Sequence, residues 1–296
     1  MCGRYASFRE AQDLADASDV EEISEAARQA PASYNVAPTD GVRMIIERTP
    51  KATSDGAAST DQASSPVQGG TTGDGATSPA QSSSPAQGGT TGDGAASPAQ
   101  DSAPAEQVIP VRREMHLARW GLVPGWAKDL SIGSRMFNAR SDSLATKRSF
   151  APSLANRRCL VVADGYYEWL KEEVPGQSKP RRTPFYIHRT DGAPLAFAGL
   201  YAWWPDPTKE KGDPDRWVLS ATIVTADARG GLEQIHHREP VVLGEDEADA
   251  WLTPGLTGAD EALAVLEQPS PALSWYEVSA RVGSVSNNDA SLIEPV

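Results

Sequence analysis

The amino-acid sequence predicts an α+β fold in which mixed, mainly antiparallel sheets curl into a barrel-like core with small helices at its periphery. Short runs of apolar and aromatic residues recur along the chain at strand length. Long helical patterns do not alternate with these runs, which argues against a parallel βαβ fold. The 296 residues include eight tryptophans and enough leucine and valine to fill one large core. We therefore expect one domain built mainly from strands.

The predicted elements are a series of strands between two helices. The first helix covers Phe8–Ala17, and the second covers Glu245–Leu252, where acidic residues in the first turn favour a helix N-terminus. Apolar, aromatic and β-branched residues predict seven strands between them. In chain order, these strands are Val42–Glu47, Met115–Trp120, Arg158–Ala163, Tyr166–Leu170, Phe185–Ile187, Leu195–Leu200 and Trp217–Thr225.

The segment from about residue 50 to residue 107 differs in composition from the rest of the chain. It is rich in Ser, Thr, Gly, Ala, Pro and Gln, it lacks aromatic residues, and the stretch that begins at Ser64 returns almost unchanged at Ser83. Such a segment cannot bury enough apolar surface to offset the entropy lost on ordering. We predict a disordered insertion in a single domain that spans residues 1–296, because chain entropy tolerates long loops.

Charge and cysteine content restrict the environment and the partners. The formal net charge is −13, but Arg112–Arg158 contains ten Lys or Arg and only three acidic residues. A locally basic face on an acidic protein is compatible with phosphate contacts. Only two cysteines occur, Cys2 and Cys159, which indicates a reducing compartment without disulfides. Neither a signal peptide nor a membrane span is recognised, so we expect a cytoplasmic protein.

The cysteine directly after the initiator methionine is the most informative residue. Removal of Met1 would leave Cys2 with an α-amine and a thiol two carbons apart, whose ordinary pKa values are about 8 and about 8.5. Near neutral pH, both groups are partly nucleophilic. The amine can condense with an aldehyde to a Schiff base, and the thiol can then close a thiazolidine ring. Cys159 lies in an apolar run and is expected to be a buried, inert thiol.

Several motifs combine strand-like residues with polar or aromatic side chains. They are Met-Cys-Gly-Arg at residues 1–4, Asn-Val-Ala-Pro at 35–38, Trp-Gly-Leu-Val-Pro at 120–124, Asn-Ala-Arg at 138–140, Asp-Gly-Tyr-Tyr-Glu-Trp at 164–169 and Ile-His-His-Arg at 235–238. Together and in this order, they make the chain resemble the SOS response-associated peptidase (SRAP) family of abasic-site-processing proteins. The resemblance covers nearly all of the chain outside the predicted insertion.

The resemblance implies a DNA-damage function in the SOS response. The protein would bind single-stranded DNA that contains an abasic site and crosslink to the ring-opened aldehyde through Cys2, as a thiazolidine. The implied peptidase activity would be self-removal of Met1, and whether strand cleavage by a lyase reaction accompanies it stays open. The resemblance implies no cofactor and no metal. We expect a monomer that associates with the nucleoid when it binds DNA.

The same resemblance assigns roles to individual residues. Four are catalytic: Cys2 is the nucleophile, Asn138 hydrogen-bonds near it, Glu168 lies beside the N-terminal amine, and His236 moves a proton that opens the sugar ring. Arginines would contact phosphates, and two tryptophans would flank the site. The residues assigned to DNA binding are Arg4, Asn35, Pro38, Trp120, Arg140 and Trp169.

The chemistry of these residue types agrees with the assignments. Glu168 lies between Tyr167 and Trp169, and partial burial is expected to raise its pKa enough for it to donate a proton. A histidine titrates near neutrality. Local sequence does not distinguish His236 from His237, and only the motif register selects His236. Binding through phosphates predicts an affinity that falls with salt and shows little sequence preference.

Glu239 departs from the family pattern, and it would reduce DNA affinity if its side chain faced the DNA groove. Two other function classes stay open on the sequence alone. An N-terminal-nucleophile amidohydrolase also begins Met-Cys-Gly and would use the Cys2 thiol against an amide, so it would release ammonia from glutamine. A non-covalent reader of single-stranded DNA would give no Cys2-dependent band on a denaturing gel.

Overall fold

The structure, a computed structural model, describes residues 2–49 and 111–296. The insertion predicted at about 50–107 lies outside the described residues. The segments on its two sides belong to the same folded unit. In the part of the chain that is described, thirteen strands form two sheets, and the five α-helices are short.

The bounds of these elements place most of the chain in strands. The strands are β1 (Tyr5–Ser7), β2 (Glu22–Ile23), β3 (Ser33–Val36), β4 (Gly41–Arg48), β5 (Arg112–Trp120), β6 (Asn138–Arg140), β7 (Arg158–Ala163), β8 (Gly165–Glu172), β9 (Arg181–Arg189), β10 (Leu195–Pro205), β11 (Trp217–Asp227), β12 (Arg238–Pro240) and β13 (Leu273–Glu277). The helices are α1 (Ala11–Asp16), α2 (Glu25–Gln29), α3 (Ala151–Asn156), α4 (Glu245–Leu252) and α5 (Ala259–Leu266).

Five strands of the larger sheet close into a barrel. β4 pairs with β5 and β7, β10 pairs with β7 and β11, and β11 also pairs with β5, so these five strands form a ring. Every pair in the ring is antiparallel except β5–β11, which is parallel. The predicted α+β class, with mixed, mainly antiparallel sheets and a barrel-like core, is confirmed.

Three short strands extend the barrel sheet. β6 runs parallel to β11, with Asn138 opposite Ile223, and β12 runs antiparallel to the same strand. β2 runs parallel to β5. Because β6 and β12 both lie along the C-terminal half of β11, residues from two distant parts of the sequence meet at this end of the barrel.

The second sheet has five strands in the order β13, β9, β8, β1, β3, and all neighbours are antiparallel. Its inner face packs against the barrel. Tyr5, Tyr166 and Ile187 from this sheet share one apolar cluster with alternating residues of the barrel strands, including Val161 and Ile223. The opposite faces of the barrel strands pack beneath the helices. Since alternate residues of a strand face opposite ways, the shared cluster is the barrel interior.

The seven predicted strands and both predicted helices exist, with changes at their ends. The first helix begins at Ala11 rather than at Phe8. The backbone N–H groups of Phe8 and Arg9 donate to the Asp164 carboxylate at 2.6 and 3.1 Å, which holds these two residues outside the helix. The elements that the sequence analysis missed are the strands β1, β2, β3, β6, β12 and β13 and the helices α2, α3 and α5.

Candidate active site

The N-terminal segment runs into the junction between the two sheets. Cys2 is fully buried in the cluster that fills the barrel. Its backbone carbonyl accepts a hydrogen bond of 2.7 Å from Nδ2 of Asn138, at the start of β6. Asn138 Oδ1 is buried and has no hydrogen-bond partner among the described residues. The Asn138 side chain therefore holds the Cys2 peptide in place and presents an acceptor that a new donor can satisfy.

Glu168 reaches the same place from the neighbouring strand. The backbone N of Tyr167 donates to the carbonyl of Arg4 at 3.0 Å, so the next residue, Glu168, lies level with Gly3. Glu168 is buried, with 5% of its surface exposed. Burial raises the pKa of its carboxyl group above the ordinary value.

The environment also keeps the Cys2 thiol protonated. Burial is the main cause of its raised pKa, and the negative charge of Glu168 adds to it. A thiol in such surroundings is a poor thiolate nucleophile. It remains close to a carboxyl group that can take up its proton. The Cys2 thiol and the Glu168 carboxyl therefore suit a reaction in which the thiol attacks in a later step, after a different nucleophile has reacted first.

His236 follows a 3₁₀ turn at Leu232–Gln234, and the preceding Ile235 packs in the same cluster as Cys2. Nδ1 of His236 lies 3.0 Å from both the backbone N and the backbone O of Arg238, so the backbone engages this nitrogen in either tautomer. Burial lowers the pKa of His236 to about 4, and nearby positive charge adds to the shift. The imidazole is therefore neutral at pH 7. The adjacent ring of His237 is exposed.

An open cleft of about 450 Å³ adjoins the N-terminal segment. Its lining consists of Gly3, Arg4, Trp169, Arg182, Ala280 and Gly283. Arg4 Nη1 donates to Asn35 Oδ1 and to the Val282 carbonyl, both at 2.9 Å. The guanidinium thus fastens the C-terminal loop at 280–283 to the N-terminal segment. Two arginines and one indole give the cleft the character of a site for a polyanion with flat groups.

Asn35 lies behind this cleft and supports it, and its assignment to DNA binding stays a prediction. Its side chain is buried, and Nδ2 donates to the carbonyls of Val282, Ser284 and Asn287 at 3.3, 2.9 and 2.8 Å. All polar atoms of the amide are therefore used within the protein. Asn35 positions the loop and, through Oδ1, Arg4.

Trp120 also lies outside the lining of the cleft, and its assignment to DNA binding stays a prediction. The side chain is fully buried, and its indole N–H donates to the Phe137 carbonyl at 2.8 Å. Its ring packs edge-on against Tyr5 at a centroid distance of 5.1 Å. Trp120 faces the same buried cluster as Ala118, two residues earlier on β5, because alternate residues of a strand share a face. Trp169, in contrast, is half-buried and lines the cleft.

Pro38 and Arg140 lie outside the lining of the cleft. Pro38 is half-buried in the turn between β3 and β4, where Thr39 N donates to the Trp120 carbonyl at 2.8 Å. Arg140 is exposed at the end of β6 and pairs with Asp142. Both residues can still meet a strand that extends beyond the cleft, and their assignment to DNA binding stays a prediction.

Two of the ten cations in the basic stretch found in the sequence are used inside the fold. Arg158 is buried and donates to the carbonyls of Trp251, Leu154 and Thr253 at 2.6 to 2.8 Å. Arg113 is paired with carboxylates, among them Glu47 at 2.8 Å. Arginines of this stretch are therefore used to bind carbonyls and acids inside the fold. Sequence reasoning counted their charge without knowing their partners.

Glu239 does not face the cleft. Its side chain is 6% exposed and lies 3.6 Å from the Nε of Arg229. It lines a separate pocket with Leu232 and Trp275, behind the loop that carries His236. The expected loss of DNA affinity from a carboxylate in the groove has no basis in this arrangement.

The cleft residue that sequence reasoning missed is Arg182, on β9. Its strand neighbour across the sheet is Lys171 on β8. The signal was present in the sequence as a cation two residues after Trp169 and a pair of arginines at the start of the next strand. The sequence did not reveal the strand register that places Lys171 opposite Arg182.

Two kinds of feature are absent from the part of the chain that the structure describes. Residues 2–49 and 111–296 contain no group of His, Cys, Asp or Glu that could hold a metal ion. None of the helices described is both long enough and apolar enough to cross a bilayer.

Comparisons with known proteins agree in one family. The model of the SOS response associated peptidase (SRAP) family matches residues 1–285. The abasic site processing protein YoqW of Bacillus subtilis is 38% identical over 178 residues, which cover 60% of this chain and 74% of that protein. The abasic site processing protein YedK of Escherichia coli is 37% identical over 179 residues, with 60% and 73% covered. A crystal structure from Bordetella bronchiseptica has a similar fold, with a TM-score of 0.59, 20% identity and coverage of 94% and 100%.

Proposed function

This chain belongs to the SOS response-associated peptidase family, and on that basis we propose that it processes abasic sites in DNA by trapping them covalently. It binds single-stranded DNA in the cleft, and the ring-opened aldehyde of the abasic sugar reacts with the amine and the thiol of Cys2. The product is a thiazolidine that joins the protein to the DNA. Relatives that are 37 and 38% identical bear the name of abasic site processing proteins, which supports the substrate class.

The observation that carries this proposal is the meeting of a buried cysteine, a buried carboxyl and a buried amide at one end of the barrel. Asn138 holds the Cys2 carbonyl at 2.7 Å, and Glu168 is close enough to raise the pKa of the Cys2 thiol, together with burial. Burying a carboxyl group in a core costs free energy unless the group is hydrogen-bonded or its charge is paired. Removal of Met1 would place the terminal α-amine on Cys2 itself, beside these groups.

The reaction then proceeds without an oxidant or a cofactor. His236, neutral at pH 7 because burial lowers its pKa to about 4, accepts the proton of the C1 hydroxyl and returns it to the ring oxygen as the bond from C1 to that oxygen breaks, so the aldehyde forms and the imidazole is neutral again. In the tautomer whose Nδ1–H donates to the Arg238 carbonyl, the imidazole lone pair that accepts this proton is on Nε2.

The amine of Cys2 attacks the aldehyde carbon and forms a carbinolamine. Glu168, whose raised pKa favours the protonated form, donates its proton to the departing hydroxyl, which leaves as water. The C–O bond breaks, and a protonated C=N bond remains. The order is amine first and thiol second, because burial disfavours the thiolate.

The thiol of Cys2 adds to the C=N carbon in the last step. A C–S bond forms, the π electrons return to nitrogen, and the thiol proton passes to the Glu168 carboxylate, which regains its starting state. The sum is one aldehyde and one amino-thiol going to one thiazolidine and one water. Glu168 serves as acid and then as base.

Strand binding is a separate property from this chemistry. Arg4 and the other cation of the cleft attract phosphates, and Trp169 offers a face on which a base stacks. Such contacts do not distinguish one base from another. We expect binding that weakens as salt rises and that shows little sequence preference.

Intact-mass spectrometry tests the proposal. The purified protein should lack Met1, and after incubation with an abasic oligonucleotide its mass should equal protein plus oligonucleotide minus one water. Peptide mapping should locate the adduct on Cys2. Attachment to another side chain, or Met1 still present on crosslinked molecules, would contradict it. Absence of any adduct would favour a non-covalent reader, and ammonia release from glutamine would favour an amidohydrolase.

A further inference from the structure

The outer face of the second sheet carries two cations that directly oppose each other. In the register of β8 and β9, Lys171 lies opposite Arg182. Directly opposed residues have their Cβ atoms about 5 Å apart, and like charges in such a pair are destabilising. Both side chains are exposed. A sheet that keeps this arrangement has a local cost that an anion between the two cations would remove.

The next pair along the same two strands shows the ordinary arrangement. Glu172 lies opposite Arg181, and the two form an ion pair of 2.6 Å. Because successive residues point to opposite faces, this pair is on the other side of the sheet. Among residues 2–49 and 111–296, Lys171 and Arg182 form no ion pair and no side-chain hydrogen bond. The two strands therefore neutralise charge on one face and leave it exposed on the other.

The exposed pair belongs to the cleft face. Trp169 precedes Lys171 by two residues and shares its side of β8, and both Trp169 and Arg182 line the cleft. Since Trp169 opposes Pro184, Arg182 is its diagonal neighbour, at roughly 7 to 8 Å. A base stacked on Trp169 would have its own phosphate within reach of both long cationic side chains.

Lys171 of this pair is also close to the proposed reacting groups. Burial dominates the pKa shifts of Glu168 and His236, but the charge of Lys171 acts on both of them in the direction of a lower pKa. A site on the outer face next to the reacting end of the sheet is where a strand leaving the abasic sugar would continue.

We propose that Lys171 and Arg182 form a clamp for one phosphodiester of single-stranded DNA, next to the base that stacks on Trp169. This inference rests on the proposed function for the identity of the anion. It adds a phosphate site formed by two strands of the second sheet, and it makes the register of β8 and β9 part of the DNA-binding surface. The two cations share one phosphate rather than binding one each.

The test uses an oligonucleotide with a tetrahydrofuran residue, an abasic analogue that has no aldehyde and cannot crosslink. Affinity is measured by fluorescence anisotropy at several KCl concentrations for the wild type, Lys171→Gln, Arg182→Gln and the double variant. For single strands, the slope of log K against log salt falls by about 0.7 for each phosphate that the protein no longer neutralises. We expect weaker binding in each single variant and a slope reduced by about 0.7 in the double variant.

Arg181→Gln is the matched control, because it removes the same charge from the adjacent residue on the opposite face. It should leave the slope unchanged. A slope reduced by about 1.4 in the double variant, with half of that in each single variant, would mean two separate phosphates and would overturn the clamp. An unchanged slope in the double variant would overturn it too.

Thermal unfolding without DNA separates binding from folding. Lys171→Gln and Arg182→Gln should unfold at the wild-type temperature or above it, because each relieves repulsion. Lower melting temperatures that parallel the loss of affinity would assign both residues to the fold instead. Crosslinking of a true abasic strand is scored independently. If the wild type crosslinks but the double variant keeps the wild-type slope, only the clamp is refuted. If the double variant changes the slope but the wild type forms no adduct, only the covalent chemistry is refuted.

Discussion

Cys159 on barrel strand β7 and Cys2 in the segment that leads into β1 of the second sheet are both fully buried, and the two thiols have different surroundings. Cys159 lies on a barrel strand, and burial alone raises its pKa. Cys2 enters from the edge of the second sheet, where burial is joined by the charge of Glu168 and where Asn138 holds its backbone. Burial by itself therefore does not distinguish Cys159 from the proposed nucleophile, Cys2. The polar groups beside it do.

The difference follows from how each sheet is built. In the barrel, each of the five ring strands pairs with two others, and alternate residues fill the interior, so a side chain there meets apolar neighbours. The second sheet ends where the N-terminal segment meets β6 and the loop before β12. Residues from four distant parts of the sequence converge at that end. The closed barrel holds these residues in place, and the end of the packed sheet gathers the polar groups of the proposed reaction.

Replacing each cysteine with alanine tests this comparison, and it should give the largest effect of the variants proposed. Cys2→Ala should abolish the thiazolidine adduct on a denaturing gel while strand affinity is kept. The terminal amine of this variant, now on an alanine, should still give a Schiff base that borohydride traps. Cys159→Ala should crosslink at the wild-type rate and lose about 1 kcal/mol of stability to denaturant, because it leaves a small void in the core. Equal crosslinking by the two variants would abolish the distinction.

Glu168→Gln removes the proton donor and keeps the shape of the side chain. Loss of a positioned acid typically slows a reaction by about 10²-fold or more, and quench-flow crosslinking should show a reduction of that order. The wild-type rate should fall as pH rises above the raised pKa of Glu168, because the acid form is lost. The variant should lack this high-pH decline. Glu172→Gln, on the same strand and partly exposed, is the control and should react normally.

Stability should change in the opposite direction to activity at Glu168. Its folded-state pKa is raised, so the native state favours the protonated form. Stability is therefore greatest below the unfolded-state pKa and declines as pH rises through the folded-state value. At pH 7, Glu168→Gln should be at least as stable as the wild type in denaturant titrations. A less stable variant would mean that the ionised carboxylate is needed by the fold.

His236→Ala should slow crosslinking by about 10²-fold, the lower end of what a positioned base contributes, and His237→Ala should change it little, since only the first imidazole is partly buried beside the barrel cluster. Burial lowers the pKa of His236 to about 4, so the imidazole is protonated only as pH falls through about 4. The contribution of this base to the wild-type crosslinking rate should be lost there. Single-turnover rates between pH 4 and pH 8 measure both effects. The reverse order of the two variants would place the proton relay on His237.

The same comparison explains which assignments from sequence survived. Strand-length apolar runs predicted the barrel, because a buried strand needs little beyond local composition. The environment of Glu168 was also predictable, since aromatic residues flank it. The burial of Trp120 and Asn35 was not predictable, because an indole at the end of a strand and an amide before a turn can pack in a core or contact a ligand equally well. The β8–β9 register alone reveals Arg182, and register is a property of pairing rather than of either strand.

The two tryptophans give the smallest of the expected effects and the finest test of the comparison. Trp169→Ala should weaken binding of the tetrahydrofuran strand by about tenfold, since stacking is worth about 1 to 3 kcal/mol per base, while crosslinking at saturating DNA stays near the wild-type rate. Trp120→Phe removes an internal hydrogen bond to Phe137 and should lower stability by about 1 kcal/mol with no change in affinity. Anisotropy and denaturant titration of the two variants read these effects separately. If Trp120→Phe lost affinity at unchanged stability, the barrel interior would be part of the DNA-binding surface, and the division of labour between the two sheets would fail.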